Sequence, residues 1–430
     1  MIVSEKNCDL IVIGSGMAGL AAALFAAGRG ISTMVIGHTG RVRFFSGLID
    51  LMSVYPISTG KTWEDPWAAI HALSAEKEHP HPYSRIHPAG IKKAMDEFLA
   101  FLSKSGLPYH LDSNQNQSVI TSQGTLKQTF ALPHTMAAGV EAFQKKAPCL
   151  IIRFPEVKGF SSRQIQETMK RRWPLLRSID LSFPGCFHEL FPEHAARELE
   201  SPSCLENIVK AIQPHLKKAE VVGVPAILGI EKSMEVHADL EKRLGVRVFE
   251  IPCLPPSMPG LRLQMVFQHQ LARLGVQAFF QQQVDKVTAL DTGGFLLYAG
   301  EGMDQIRIHA RGVILATGRF FSKGLAAERT GIRETVFNLP VHQPENRTYW
   351  HNPDFLACSG HAINTAGIEI DDSFHPLDQS GQPAFPSLFA AGSILAHQDW
   401  IRMKCGSGLS IATAYAAVEA FQKQVNGHDL

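Results

Sequence analysis

Three glycines near the start of the chain have a spacing that lets a protein backbone bind a pyrophosphate. Gly14 allows a tight turn after the apolar run at residues 10–13, Gly16 lets the backbone touch a ligand, and Gly19 lets a helix pack closely on a strand. The free N–H groups at the start of that helix favour an anionic diphosphate. The stretch therefore predicts strand, turn and helix with a dinucleotide at the turn. The predicted contacts are Gly14, Ser15, Gly16, Met17, Ala18 and Gly19.

A dinucleotide site of this type usually has an acid about 20 residues further on, which binds the ribose hydroxyls. Here the second strand is predicted at residues 31–36, and the first acid after it is Asp50. Three interpretations stay open. The ribose is held by backbone or by His38, the ligand is a mononucleotide such as FMN, or Arg41 and Arg43 bind an NADP 2′-phosphate.

Later segments also end strands in turns of small residues. The buried run at 311–318 and the run at 387–393 both read as strands that end at a glycine turn, and an Ala-rich helix is predicted from residue 406 to about 425. Open α/β sheets place ligands at such strand ends, and a helix N-terminus there stabilises negative charge on a flavin ring. The contacts predicted from these segments and from the aromatic loop at 41–50 are Phe45, Ser46, Gly47, Ala316, Thr317, Gly318, Gly392, Ser393, Gly406, Ser407, Gly408 and Leu409.

A flavin is the cofactor that explains the early glycines and the late turns together, because an NADP site needs only the first. Between the two flavins the pattern favours non-covalent FAD, since a pyrophosphate fingerprint has no use for a monophosphate. The missing acid keeps FMN as the alternative. Phe45 is interpreted either as a contact of the flavin ring or as a core residue.

The elements that position these turns divide the chain into three segments. Residues 1–88 and 246–430 predict an α/β fold with a Rossmann-like FAD-binding domain in two parts. Residues 89–245 alternate helical patterns with short strands and carry frequent prolines. This middle segment is predicted to be an inserted α+β cap or substrate domain.

Composition excludes several classes of protein. The chain has 430 residues, 41 basic and 40 acidic, and its net charge of +1 offers no general field for nucleic acid or membrane. No apolar run reaches the roughly 18 residues of a membrane span, and the charges at Glu5, Lys6 and Asp9 argue against a signal peptide. Seven scattered cysteines without a C-x-x-C pair argue against an iron–sulfur cluster, a zinc site or a disulfide scaffold. We therefore expect a globular enzyme of a reducing compartment with no metal.

Four short segments together resemble the fumarate reductase and succinate dehydrogenase flavoprotein group: GSGMAGL from Gly14, VILATG from Val313, LFAAGS from Leu388 and GSGLS from Gly406. Within that group the chain is similar, from end to end, to the family of anaerobic glycerol-3-phosphate dehydrogenase B subunits. This narrower likeness rests on FSGLIDL from Phe45, VFEIP from Val248, PPS from Pro255, GLRL from Gly260, GRFFSKGL from Gly318 and GIRE from Gly331. The SKGL block is specific, because flavin binding does not demand it.

The resemblance implies a flavin and a missing ribose acid, and also a complex. In such a complex, a sister flavoprotein subunit and an iron–sulfur subunit at the membrane would pass electrons from sn-glycerol 3-phosphate to quinone. The chain would then be cytoplasmic, on the inner face of the membrane and held there by its partners. The catalytic residues of the family do not carry over to this sequence.

Oxidation of a phosphorylated alcohol needs a base for the hydroxyl and cations for the phosphate. The candidates near the predicted flavin turns are His397 and Asp399 as base, Arg402 and Lys323 as catalytic cations, and Arg262 and Arg319 as phosphate ligands. Two other functions stay open. One is a flavin-dependent reductase of an unsaturated acid, and the other is a non-catalytic relay whose sister subunit holds the substrate.

Overall fold

The computed structural model of the protein describes residues 4–76, 80–186, 188–300 and 305–428. The side chains of residues 39–41 lie outside this description, and so does the prediction made for Arg41. The strands are β1 (Ser4–Ile13), β2 (Thr33–Gly37), β3 (Tyr109–Leu111), β4 (Gln117–Ile120), β5 (Leu126–Thr129), β6 (Ala131–Pro133), β7 (Cys149–Arg153), β8 (Leu176–Asp180), β9 (Val221–Pro225), β10 (Arg247–Ile251), β11 (Gln277–Phe280), β12 (Val284–Ala289), β13 (Phe295–Ala299), β14 (Ile306–Leu315), β15 (Leu325–Ala327), β16 (Ile332–Glu334) and β17 (Leu388–Ala390). The helices are α1 (Met17–Gly28), α2 (Pro66–Ser74), α3 (Pro88–Lys104), α4 (Ala137–Lys145), α5 (Ser162–Met169), α6 (Pro192–Leu199), α7 (Pro202–Ile212), α8 (Ser233–Leu244), α9 (Met258–Arg273), α10 (Trp400–Met403) and α11 (Gly406–His428).

Tertiary contacts divide the chain into two compact units. Unit 1 comprises residues 1–41, 50–100 and 267–430, and unit 2 comprises residues 42–49 and 101–266. The unit boundaries therefore fall inside α3 and α9, whereas the sequence pattern puts its breaks at 88/89 and 245/246.

Unit 1 is built on a seven-stranded sheet in the order β11-β2-β1-β14-β13-β12, with β17 also paired to β14. The pairs that involve β1, β2, β11 and β17 are parallel, and β12 and β13 are antiparallel. The central strands are apolar runs because a sheet covered on both faces buries both sets of side chains. Leu10, Ile11, Val12 and Ile13 are all buried.

The register of the parallel strands brings their carboxyl ends to one edge. Ile13 at the end of β1 lies opposite Ile36 of β2 and Leu315 of β14. Leu315 lies in turn opposite Ala390 of β17. The turns that follow these four strands therefore leave the sheet side by side.

Two helices are nearly as apolar as the strands. Residues 18–26 of α1 are buried, and α11, which has 23 residues, is rich in alanine. Small side chains let a helix backbone approach its neighbours closely, as expected of helices buried in a large core. Among the helices that the structure describes, none is both long enough and apolar enough to cross a membrane.

Unit 2 has its own core around a four-stranded parallel sheet in the order β10-β9-β7-β8. Two antiparallel pairs, β3 with β6 and β4 with β5, complete its strands. Helix α4 packs on β4, β9 and β10. Aromatic side chains fill this core, where Trp173 stacks on Phe249 with ring centroids 6.5 Å apart.

Candidate functional site

The first glycine turn combines two close approaches with one open position. A Cβ on Gly14, whose φ is +118°, would lie 2.2 Å from the carbonyl oxygen of Ala316, and a Cβ on Gly19 would lie 1.8 Å from the carbonyl oxygen of Gly14. Both positions therefore exclude any side chain. At Gly16, by contrast, no atom of the described residues lies within 4 Å of the place that a Cβ would take. The turn is packed tightly from behind and faces free space in front.

The same turn presents unused hydrogen-bonding groups. Gly16 is the N-cap of α1, and no described side chain caps the helix there. Ser15 is 1% exposed, and its Oγ has no hydrogen-bond partner among the described residues. The same is true of Oγ1 of the partly buried Thr317, in the turn after β14. Buried hydroxyls without partners and free helix N–H groups are what a bound diphosphate would satisfy.

The turns after β14 and β17 lie beside the first turn. The N–H of Ala316 donates to the carbonyl of Ile13, and the N–H of Ala391 donates to that of Leu315. Gly392, with φ +82°, packs on the first turn of α1, because a Cβ there would lie 2.5 Å from the Cβ of Ala18. The predicted contacts at Gly14–Gly19, Ala316–Gly318 and Gly392–Ser393 are therefore neighbours at one edge of the sheet.

The start of α11 has a different task from the one predicted. Ser407 Oγ accepts a hydrogen bond of 2.7 Å from the N–H of Asp50, and the N–H of Gly408 donates to the Asp50 carbonyl at 2.8 Å. The N–H of Leu409 is used within the helix by Cys405. The prediction that Ser407, Gly408 and Leu409 offer these groups to the flavin is corrected, since they anchor the chain at Asp50. For Gly406 it stays a prediction.

The predicted contacts Phe45, Ser46 and Gly47 belong to unit 2. There the carbonyl of Phe45 accepts a hydrogen bond from Ser257 Oγ, and a Cβ on Gly47 would lie 2.5 Å from the Cβ of Pro259. The loop is therefore tied to the start of α9, whose sequence PPS at 255 belongs to the same resemblance. Arg43, the NADP alternative, donates from Nε to Gln264. The flavin contacts of this loop remain predictions.

Arg262 was predicted to bind a substrate phosphate, and the structure corrects this. Its side chain is 2% exposed and forms a two-pronged ion pair with Glu250 at 2.6 and 2.8 Å, while Nε donates to the carbonyl of Gly229. Burial alone raises the pKa of Glu250, but the Arg262 charge and the hydrogen bonds from Arg262, Thr135 and Leu228 outweigh it, so this pKa lies below its ordinary value. The pair holds unit 2 together.

Arg319 is also corrected, because its guanidinium is used by main-chain carbonyls. It donates to Ser393, Asn364, Leu395 and Gln398. Burial lowers the pKa of Arg319 to about 10, so it stays protonated at neutral pH. Four carbonyl partners leave little of its donor capacity for a phosphate, and its role is to clamp the turn after β17.

Asp399 is corrected as a candidate base. Its Oδ1 caps α10 through the N–H of Arg402, and its Oδ2 accepts from Asn364 at 3.0 Å and from Nη1 of Arg402 at 3.2 Å. A buried carboxylate with this many donors keeps its negative charge for structure. Arg402 remains a candidate, since its side chain is 24% exposed and shares one nitrogen with Asp399.

His397 lies in a cluster that the sequence pattern did not reveal. Its Nε2 is 2.8 Å from Oε1 of Glu369, and its ring centroid is 4.1 Å from that of His342. Burial and the neighbouring His397 lower the pKa of His342, and Glu369 only partly opposes this. His397 also has φ +61°, an uncommon backbone conformation for a residue with a side chain. Such conformations concentrate at functional sites.

The cluster is assembled by backbone hydrogen bonds between three irregular segments. His342 and Gly367 exchange two hydrogen bonds, Ile368 bonds to Ile394, and the N–H of His397 donates to Thr365. The ligand atoms of His342, Glu369 and His397 lie within 4.8 Å of one another, a spacing that a divalent cation can accept. The sequence offered no signal for His342 or Glu369, because neither belongs to a helix or a long strand.

Lys323 lines a cavity of about 590 Å³ in unit 1. Arg333 is the second cation of its wall, and no carboxylate occurs among the described residues that line it. Arg333 pairs with Glu328 at 2.8 Å, outside that wall. The cavity is lined by Gln283, Phe320, Lys323, Leu325, Ala326, Ala327, Arg333, Thr335 and Ile363.

The family model described as "FAD binding domain" matches residues 9–168 and 191–409. The chain belongs to this family. The predicted Rossmann-like FAD-binding fold and the prediction of FAD are thereby confirmed. The open space at Gly16 and the partnerless hydroxyls of Ser15 and Thr317 fit that cofactor.

Curated relatives cover nearly the whole chain. A Vibrio vulnificus protein, named as the B subunit of anaerobic glycerol-3-phosphate dehydrogenase, is 29% identical over 431 residues, which are 96% of this chain and 96% of the relative. A Halobacterium salinarum protein, named as the probable B subunit of the same kind of enzyme, is 29% identical over 433 residues, which are 97% of this chain and 98% of the relative. The resemblance predicted from the short segments is confirmed.

Solved structures were also compared. The 3-ketosteroid Δ1-dehydrogenase of Sterolibacterium denitrificans matches with a TM-score of 0.46 and 12% identity, and the match covers 97% of this chain and 100% of that one. The quinol fumarate reductase flavoprotein of E. coli matches with a TM-score of 0.43 and 10% identity, and the match covers 99% and 71% of the two chains.

Proposed function

We propose that this chain is the flavoprotein subunit of an anaerobic glycerol-3-phosphate dehydrogenase and that it oxidises sn-glycerol 3-phosphate to dihydroxyacetone phosphate. The observation that carries the proposal is the His397–Glu369 pair, which lies just after the turn that follows β17. The FAD family and the names of the relatives support it. The electrons would pass to quinone through a sister flavoprotein subunit and a membrane-docked iron–sulfur subunit.

In this proposal His397 is the base. The carboxylate of Glu369 accepts the proton on Nε2, which leaves Nδ1 with a lone pair for the substrate hydroxyl proton. Glu369 then stabilises the imidazolium that forms. FAD, when bound, supplies the acceptor for the two electrons that the alcohol carbon loses.

His342 supports the same chemistry by staying neutral. Its pKa is lowered by burial and by His397, so it adds no second positive charge beside the base at neutral pH. A neutral ring stacked at 4.1 Å also limits the rotation of His397.

The phosphate is assigned to the cations of unit 1. Lys323 and Arg333 face a cavity whose described lining contains no carboxylate, and Arg402 is partly exposed beside Asp399. Phosphate oxygens form strong charge-assisted hydrogen bonds with such groups. Lys323 and Arg402 are thus retained from the sequence, whereas Arg262 and Arg319 are replaced by Arg333.

Anaerobic stopped-flow reduction of the FAD-loaded protein by glycerol 3-phosphate tests the proposal. His397→Gln should lower the reduction rate about 10²-fold or more, because a general base typically contributes that much. Lys323→Ala should mainly raise the substrate concentration needed for half-maximal rate, and Lys92→Ala, on the exposed face of α3, is the matched control. Equal rates for His397→Gln and the unchanged protein would contradict the assignment of the base.

Two other outcomes of the same experiment identify the alternatives. If glycerol 3-phosphate leaves the flavin oxidised but an unsaturated acid such as fumarate reoxidises the reduced flavin, the protein is a reductase. If reduction occurs only after a sister flavoprotein subunit is added, the chain is an electron relay. Either result replaces the proposed function without affecting the assignment of FAD.

A further inference from the structure

The end of β2 explains why the ribose-binding acid is missing. Gly37 is the last residue of β2, and a Cβ there would lie 2.7 Å from the backbone nitrogen of Ser15 and 2.9 Å from its Oγ. Backbone does not yield at such distances, so no acid can occupy this position. The first side chain available at the end of the strand is that of His38.

A neighbouring strand brings a second polar side chain to the same place. β11 runs parallel to β2 with Phe280 opposite Gly37, and the N–H of Gln281 donates to the Gly37 carbonyl at 3.0 Å. Oε1 of Gln281 lies 3.3 Å from Nδ1 of His38, and both residues are exposed. Gln281 has φ +68°, so the chain turns sharply where the pair forms.

We propose that His38 and Gln281 together bind the adenosine ribose hydroxyls of FAD, in place of the usual acid. A hydrogen bond to Gln281 Oε1 makes Nδ1 of His38 the donor and leaves Nε2 as an acceptor for a hydroxyl. The amide nitrogen of Gln281 is a donor for the same diol. This assignment depends on the FAD cofactor and is independent of which substrate the protein oxidises.

The proposal predicts a loss of affinity for FAD but not for FMN, because FMN has no adenosine. Binding of each flavin to the deflavinated protein is measured by flavin fluorescence. His38→Ala and Gln281→Ala should each weaken FAD binding about threefold to tenfold, as expected for one lost hydrogen bond, and should leave FMN binding unchanged. His38→Glu, which returns the acid to the end of the strand, should bind FAD more tightly than His38→Ala.

The matched control is His71→Ala, which removes another exposed histidine of unit 1 at the end of α2. It should bind both flavins as the unchanged protein does. The thermal midpoints of the deflavinated variants show whether the variants are equally folded. Unchanged FAD binding in both alanine variants, an equal loss for FAD and FMN, or a His38→Glu variant no better than His38→Ala would each overturn the proposal.

Discussion

The carboxylate of Glu369 decides which nitrogen of His397 can accept a proton. Glu369→Gln keeps the size of the side chain but allows its amide to donate to Nε2, which favours the wrong tautomer. We expect the flavin reduction rate with glycerol 3-phosphate to fall about 10²-fold. The measurement is stopped-flow absorbance at saturating substrate. Glu345→Gln, another exposed carboxylate of unit 1, is the control and should retain the full rate.

The same cluster predicts inhibition by zinc. Two imidazoles and a carboxylate are ligands that Zn²⁺ accepts, and a bound cation would occupy the lone pair of the base. Zn²⁺ should therefore slow flavin reduction, and a chelator should restore the rate. His342→Ala removes one ligand and should require a higher Zn²⁺ concentration for the same inhibition. Equal inhibition of both proteins would show that Zn²⁺ acts elsewhere.

In unit 2, Arg262→Met leaves the Glu250 charge buried without its partner. Removing one member of a buried ion pair costs about 3–5 kcal/mol in the free energy of unfolding, and replacing both members by apolar residues costs much less. Urea unfolding should therefore rank Arg262→Met below the double variant Glu250→Leu with Arg262→Met. If the double variant is the less stable of the two, the energetic argument is wrong.

The pH dependence of stability carries the sign of the Glu250 shift. Because Arg262 and the hydrogen bonds hold the folded pKa of Glu250 below its unfolded value, the pair stabilises the fold above the unfolded pKa. This contribution is lost as the pH falls through the folded pKa. The gap in unfolding free energy between the unchanged protein and the double variant should therefore shrink as the solution is acidified below about pH 4.

At the scale of elements, the turn between β1 and α1 separates packing from binding. Gly16→Ala adds a methyl group to open space, so it should leave the thermal midpoint of the deflavinated protein nearly unchanged and weaken FAD binding. Gly19→Ala places a Cβ 1.8 Å from a carbonyl oxygen and should destabilise the protein even without FAD. Thermal melts with and without FAD measure both effects. A stable Gly19→Ala protein would contradict the role of this glycine in packing.

The sequence predicts the elements whose signals are local. The predicted turn at Gly14, the buried strand ending at Leu315 and the helix starting at Gly406 all appear where the pattern puts them. Their apolar periodicity and glycines depend only on neighbouring residues. Gln281 was missed as a partner for His38, because the pairing of β11 with β2 joins residues far apart in sequence. Glu369 was missed for the same reason.

The late loops show where local reasoning fails for catalytic residues. Asp399 and Arg319 have the right charge and lie close to flavin turns in sequence, yet both are used by neighbouring backbone groups. A sequence shows that a charge exists but not whether its hydrogen bonds are already satisfied. His397 differs because its partner is a side chain that leaves one ring nitrogen available.

At the scale of the whole molecule, the chain combines an FAD-binding domain with seven cysteines that form no C-x-x-C pair. Iron–sulfur clusters in proteins need clustered thiolates. Electron transfer from this chain to a quinone in a bilayer would thus depend on another protein that carries such clusters. The relatives are named as one subunit of a larger enzyme, which agrees with this division of tasks.

The last prediction follows from that division. With glycerol 3-phosphate, the isolated FAD-loaded chain should turn over when a small soluble dye accepts the electrons, because the dye can reach the flavin directly. Turnover with quinone-containing vesicles should require the co-expressed partner subunits, since only they provide the path to the bilayer. Both rates are followed by absorbance of the acceptor, with His397→Gln as the control that removes the chemistry. Equal quinone reduction with and without partners would mean that this chain reaches the membrane quinone unaided.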